Sequence, residues 1–450
     1  MENNLPYNEA DPIAIEAYAK RLLNKSLRHY MGEIKHVDKN VGGKGKLGQI
    51  LEGYFGKKLD NKSQPDFMKA GVELKSTPLK KITKGLVSKE RLVFNIIDYM
   101  EEHKHDFEHS SFWRKNSLML LMFYLYESKE QSALDCIFKI IRLWSFPEKD
   151  LKIIKDDWQK IVDKIKQGKA HEISEGDTLY LGACRKGANN QEPLRSQPFN
   201  PSIKARQRAF SLKQTYLNNV IIKQSLPDSE PIIKDIKEYK SGLSFEDLVI
   251  KRFEKYYNKS DVELIRELKI NDTDAKNKFS LIAKAITRAI LGISKGNIEE
   301  FSKADVELKT IRLEKTGQLK ESMSFHQIDY NEIIMERWED SYWHSTLTKR
   351  FFFVIFKKDA KNVIRLSKVM FWTMPYDDLK MAKKFWLDTK NKIAYGDYNN
   401  FIKISDGLIC HVRPKAIDSL DKMKSPQGTM EKKKAYWLNR EYILQQIQPV

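Results

Sequence analysis

Nothing in this sequence reads as a membrane span, a zinc cluster or a P-loop. No apolar run reaches spanning length, and Phe351 to Phe356 falls far short of the roughly twenty residues a helix needs. The first residues, Met1-Glu2-Asn3-Asn4, offer neither a basic region nor an apolar core, so no signal peptide is expected. Cysteine is scarce: Cys136, Cys184 and Cys410 are odd in number and widely spaced, which excludes zinc-ligand spacing and suggests reduced thiols in a cytoplasmic protein. The glycines between Val41 and Gly56 lack the Walker spacing, and no Gly-Lys-Ser/Thr follows them.

What is abundant is positive charge. Lys and Arg outnumber Asp and Glu by 80 to 61, a formal net charge of +19, which points to a polyanionic partner, nucleic acid ahead of a membrane surface. Hydrophobic content of 41% and aromatic content of 11% describe a folded chain, and 450 residues suffice for two or three domains with real cores.

The most informative stretch is Pro65-Asp66-Phe67-Met68-Lys69-Ala70-Gly71-Val72-Glu73-Leu74-Lys75. Val72 to Leu74 reads as a strand, so Glu73 and Lys75 share one face while Val72 and Leu74 take the other. A turn at Ala70-Gly71 would fold Asp66 back beside Glu73. Two carboxylates and an ammonium on one face form a hard-oxygen site for Mg²⁺ next to a cation, the grouping phosphodiester hydrolysis needs. A solvated strand of alternating charge gives the same pattern, so the motif alone is not decisive. Glu52 stands on an expected helix upstream, and Lys115 at the mouth of the apolar strand Leu118 to Tyr126 could reach a phosphate.

Around this stretch, Asp11 to Tyr30 predicts an amphipathic helix with Ile13, Ala17, Leu22, Leu23 and Leu27 inward. Arg91 to Tyr99 predicts a strand and Trp158 to Lys166 a helix. Ala183 to Asn189 predicts a basic loop, and Arg185, Lys186, Arg206, Arg208 and Lys213 would supply phosphate or base contacts to DNA. Ser225 to Pro231 has the composition of a linker between residues 1–224 and residues 232–450.

Beyond that linker the chain repeats itself. Ala304-Asp305-Val306-Glu307-Leu308-Lys309 echoes Ala70 to Lys75, and Ser341-Tyr342-Trp343 echoes Ser111-Phe112-Trp113. Trp386 returns for Trp158, Arg413 for Arg185, and Ala435-Tyr436-Trp437-Leu438 for Ala209-Phe210-Ser211-Leu212. A collinear series of this kind is a duplicated domain. The second copy keeps Glu300, Glu307 and Lys309 at the spacing of Asp66, Glu73 and Lys75, but places Arg288 at Glu52 and loses Lys115. An arginine there would repel a divalent cation, so this copy reads as a binding domain with a damaged active site.

Lys44-Gly45-x-x-Gly48-x-x-Leu51-Glu52, Asp66 with Gly71-Val72-Glu73-Leu74-Lys75, Arg185, and Phe210-Ser211-Leu212-Lys213 resemble the MutH endonuclease family. The two-copy layout resembles its GATC-cutting type II restriction enzymes, the Sau-type enzymes. The resemblance implies an α/β fold of two tandem restriction-endonuclease-like domains, each a mixed sheet flanked by helices, in a bacterial cell. It implies Mg²⁺-dependent cleavage of double-stranded DNA, with Glu52, Asp66 and Glu73 holding metal, Lys75 addressing water and Lys115 assisting. Lys44 and Gly45 match the loop that approaches DNA. Arg185 and Lys186 match an Arg-Pro pair that contacts the recognition sequence, and the second copy has Arg413-Pro414 there. Ser211 replaces the tyrosine that senses adenine methylation. The expected protein is a monomer in solution that engages two sites by dimerisation or looping. A GATC-specific repair nickase and a non-catalytic DNA-binding protein are the alternatives.

Overall fold

The computed structural model describes residues 5–32, 46–57, 64–83, 85–128, 131–186, 193–223, 228–271 and 278–448. The chain divides into two compact units: Met1–Ser229 with Asp235–Ser244 and Ser302–Ala304, and Glu230–Lys234 with Phe245–Phe301 and Asp305–Val450.

In the amino-terminal unit the elements are α1 (Pro12–Lys20), α2 (Lys46–Tyr54), β1 (Glu73–Ile82), β2 (Gly85–Ser88), β3 (Leu92–Ile96), α3 (Ser111–Asn116), β4 (Leu118–Leu125), β5 (Phe138–Ser145), α4 (Glu148–Lys166), β6 (Leu181–Arg185) and β7 (Arg208–Leu212). One sheet has the order β2-β1-β4-β5. Its central pair, β1 and β4, is parallel, and the outer pairs are antiparallel. Strand β4 is buried from Met119 to Phe123, which explains an apolar run without alternation: both faces are covered. A second, antiparallel sheet has the order β3-β7-β6.

Helix α4 begins after Pro147, carries Glu148 and Asp150 in its first turn and Lys164 and Lys166 in its last, and buries Ile154, Trp158, Ile161 and Ile165. Each end therefore complements the helix dipole, and one apolar stripe seats it. The expected helix over Asp11 to Tyr30 is shorter. It is N-capped by Asp11 with Pro12 next, and ends at Lys20. Asn24 then takes a positive φ of 59°, which a helix cannot contain. The predicted stripe holds in part: Leu22 and Leu27 are buried, but within the helix Ile13 is 71% exposed and Ala17 exposed, whereas Ile15 and Tyr18 face inward.

The carboxy-terminal unit repeats the plan. Glu307–Leu313 pairs parallel with Phe351–Lys358, which pairs antiparallel with Ile364–Trp372. A three-stranded antiparallel sheet is built from Met323–Gln327, Lys434–Leu438 and Cys410–Pro414. Between Ile364–Trp372 and Cys410–Pro414 in sequence runs the helix Tyr376–Ala394, of 19 residues like α4. Matching detail extends to single bonds: Tyr99 Oη donates to the Arg206 carbonyl at 2.7 Å, and Tyr330 Oη to that of Lys432 at 2.7 Å.

Candidate active site

Asp66 and Glu73 meet across a tight hairpin. Phe67 and Val72 exchange backbone hydrogen bonds, and Gly71 supplies the positive φ of 65° that closes the turn. The Asp66 N–H donates to Glu73 Oε2 at 3.2 Å, and Asp66 Oδ2 accepts the Leu74 N–H at 2.8 Å. Each carboxylate is thus fixed partly by the backbone of the other's strand. On β1, Glu73 and Lys75 share a face as the two-residue period requires, and Lys75 Nζ donates to Glu73 Oε1 at 2.7 Å.

Lys115 reaches the same oxygen from another element, with Nζ 3.6 Å from Glu73 Oε1. It lies on α3, the short helix that leads into β4. The sequence reading misses Ser110, whose side chain accepts the Trp113 N–H and caps this helix. The parallel register sets Glu73 beside Met119, one strand residue into β4, so the end of α3 falls over β1.

Glu73 is only 2% exposed. Burial pushes its carboxyl above the usual carboxylate range and the Asp66 charge adds to this, while Lys75 and Lys115 pull against it. Two adjacent oxygen donors, one desolvated, are the set that a hard divalent cation stabilises. Mg²⁺ commonly takes one or two carboxylates and completes its shell with water and substrate phosphate. The residues fit that ion. Glu52, however, is not gathered in: among the described residues no three His, Cys, Asp or Glu side chains converge closely enough to hold a metal. It sits near the end of α2, half-buried, on an element separate from the hairpin.

A family model described as the DNA mismatch repair enzyme MutH matches residues 55–157 and 291–384, one stretch in each unit. Over 489 aligned residues the chain is 36% identical to the type II restriction enzyme Sau3AI of Staphylococcus aureus, covering 97% of this chain and 98% of the relative. The chain belongs to the Sau3AI-like restriction enzymes. The DNA mismatch repair protein MutH of Vibrio campbellii is 28% identical over 40% of this chain and 78% of its own length. That of Buchnera aphidicola is 27% identical over 44% and 91%. This Sau3AI-like enzyme is a type II restriction endonuclease with two MutH-like regions.

The DNA-facing residues expected of a Sau3AI-like enzyme are only partly presented. Lys44 and Gly45 lie outside the described residues, as do residues 187–192, which include part of the basic stretch expected from Ala183 to Asn189. Arg185 ends strand β6 opposite Arg208 instead of lying in a loop, and Lys186 follows it half-buried. Arg208 is buried with Nη1 on the Ala183 carbonyl at 2.7 Å, and Lys213 Nζ donates to the Thr178 carbonyl at 2.6 Å. Both cations are therefore committed to the protein. Ser211 is 1% exposed near the end of β7, opposite Val93 and Gly182, so its hydroxyl is not offered to a groove.

The second MutH-like region of this Sau3AI-like enzyme lacks the assembled site. Lys309 still meets Glu307 at 2.7 Å, but Glu300 spends its oxygens on the N–H groups of Ile232 and Ile233 at 2.8 and 3.1 Å. Arg288 does occupy the place of Glu52: its carbonyl accepts from Ile293 as that of Glu52 does from Lys57, each before a positive-φ glycine, Gly292 and Gly56. Two equivalences shift by a residue. The helix caps align Ser341 with Ser110, not Ser111, which sets Thr346 at Lys115. Arg413 lies opposite Ala435 and Pro414 opposite Lys434, whereas Arg185 lies opposite Arg208. Arg413 thus takes the face of Cys184, and a one-residue slip reverses a strand side chain. There it is exposed, with its guanidinium 3.8 Å from the centre of the Trp437 ring.

Proposed function

We propose that the enzyme makes Mg²⁺-dependent double-strand cuts at GATC, with the amino-terminal unit cutting and the carboxy-terminal unit binding a second DNA site as an effector. The observation that carries this reading is the meeting of Asp66, Glu73, Lys75 and Lys115 in one unit, set against the dispersal of Glu300 and the loss of Lys115 and Glu52 in the other. In this proposal Asp66 and Glu73 hold the cation, with Glu52 on α2 the third carboxylate assigned to it. When bound, the ion would supply Lewis acidity and positive charge against the charge that develops on the phosphate oxygens. Lys75 orients the attacking water through its ammonium, while Glu73 keeps that ammonium on the reacting side of β1. Lys115 faces the non-bridging phosphate oxygens. The basic charge of the chain holds the duplex backbone.

A repair nickase is disfavoured by the two-region layout, since the mismatch repair relatives align with less than half of this chain. The test is incubation with Mg²⁺ and plasmids carrying one or two GATC sites. Linear products that form faster from the two-site plasmid support the reading. Nicked circles alone, or no cleavage, would reject it.

A further inference from the structure

Behind α3 runs a chain of hydrogen bonds that no part of the proposed chemistry uses. Asn116 Nδ2 donates to Asn95 Oδ1 at 2.9 Å, and Asn95 Nδ2 donates to Ser111 Oγ at 2.8 Å. Ser111 Oγ donates to Glu102 Oε2, whose other oxygen accepts the Trp158 Nε1–H at 2.7 Å. Every donor points toward the same carboxylate, so each bond polarises the next. The chain joins β3, the turn at Glu102–Lys104, both ends of α3, and α4. It starts at the residue next to Lys115.

Such a network is costly to bury. Glu102 and Asn116 are fully enclosed, and Asn116 Oδ1 has no hydrogen-bond partner among the described residues. The second unit shows that the fold does not require it. From Tyr99 and Tyr330 to the caps Ser110 and Ser341, the two units keep one register. In that register Ile333 replaces Glu102, Tyr342 replaces Ser111, Leu347 replaces Asn116 and His326 replaces Asn95. Ile333 and Leu347 are buried in the hydrophobic core of that unit. The same helix therefore forms, capped and packed, with apolar Ile333 and Leu347 at two of the four positions and the Tyr342 hydroxyl accepting the His326 N–H at 3.2 Å at the others. It forms so in the unit where Thr346 stands for Lys115 and no lysine has to be aimed.

From this contrast we infer that Glu102, Ser111, Asn95 and Asn116 are positioning residues, which fix the axial rotation and height of α3 so that the Lys115 ammonium is held at Glu73. The inference rests on the proposed role of Lys115. Apolar packing carries no directional preference of its own, whereas hydrogen bonds at both ends of the helix constrain its rotation by their geometry. Since a misplacement of about 1 Å at a reacting centre can cost a hundredfold, the rate repays a network that stability alone does not require.

The test is a double-mutant cycle on the full-length enzyme, with single-turnover plasmid cleavage, DNA affinity without metal and thermal melting as readouts. Asn116→Leu installs the residue of the second unit. It is expected to leave DNA affinity unchanged and the melting temperature unchanged or higher, and to slow cleavage by about tenfold to a hundredfold. In a Lys115→Ala background the same substitution should change the rate by less than about twofold, because the network then has nothing to aim. Ser111→Ala breaks the chain at its middle with little loss of volume, and should repeat the pattern even if Asn116→Leu folds poorly. Full rates for both variants beside a slow Lys115→Ala enzyme would overturn the network's role and leave the Lys115 assignment standing, as would equal losses in both backgrounds. A Lys115→Ala enzyme that cuts at the full rate would instead overturn that assignment.

Discussion

The ammonium of Lys115 stands 3.6 Å from Glu73 Oε1, the oxygen that Lys75 Nζ also contacts at 2.7 Å. One buried carboxylate oxygen thus serves two cations delivered by different elements, a strand and the helix before its parallel neighbour. The two ammonium groups offset part of the burial that raises the Glu73 carboxyl, and they set two positive groups around one oxygen.

Removing either carboxylate should therefore stop cleavage and spare DNA binding. Asp66→Ala and Glu73→Ala are expected to lower the single-turnover rate by about a thousandfold, since the ion's protein ligands are lost. Affinity for a GATC duplex in the absence of metal should hold or tighten, because negative charge near the backbone is removed. Gel-shift and cleavage assays on the same preparations check both halves. Cutting near the wild-type rate would show the site to be misassigned.

The second unit should tolerate the corresponding changes. Glu307→Ala and Lys309→Ala are expected to leave cleavage of a one-site plasmid intact. Arg413→Ala, which removes the guanidinium stacked on Trp437, should weaken binding of a second site by about tenfold and erase the advantage of two-site plasmids. Inactivity of a folded Glu307→Ala enzyme on every substrate would mean that both units cut.

Adenine methylation should not matter to the rate. Ser211 is small and enclosed within its sheet, so it neither reads nor obstructs a methyl group on the exocyclic amine exposed in the major groove. Plasmid prepared with and without N6-methyladenine in GATC should be cut at rates within about twofold at matched salt. Protection of the methylated plasmid would place the sensor elsewhere.

Acidification should weaken the carboxy-terminal unit through His411. Its ring is buried with Nδ1 on Asn439 Oδ1, and burial lowers its pKa from the ordinary 6.5. The folded state therefore binds fewer protons than the unfolded chain in that window. The associated stability is complete above pH 6.5 and is lost as the pH falls from there through the folded pKa. Thermal melts between pH 7.5 and 5, compared with His411→Gln, should show a shallower decline in the variant. Parallel curves would assign the decline to other groups.

The sequence alone carried the duplication, the basic charge and the Asp66–Glu73–Lys75 face, because these depend on residue order and a strand's two-residue period. It also carried the loss of Glu52 and Lys115 from the second copy, since substitution at an aligned position needs no coordinates. Tertiary structure decided the rest. It brought Lys115 to Glu73 through parallel strand pairing, left Glu52 outside the carboxylate pair, and turned Arg208, Ser211 and Lys213 inward. It set Arg413 and Arg185 on opposite faces, and drew the Asn116-to-Trp158 chain from four separate elements. Those outcomes depend on register, burial and contacts between residues distant in the chain. A one-residue slip that local spacing cannot detect reverses the face on which a side chain lies.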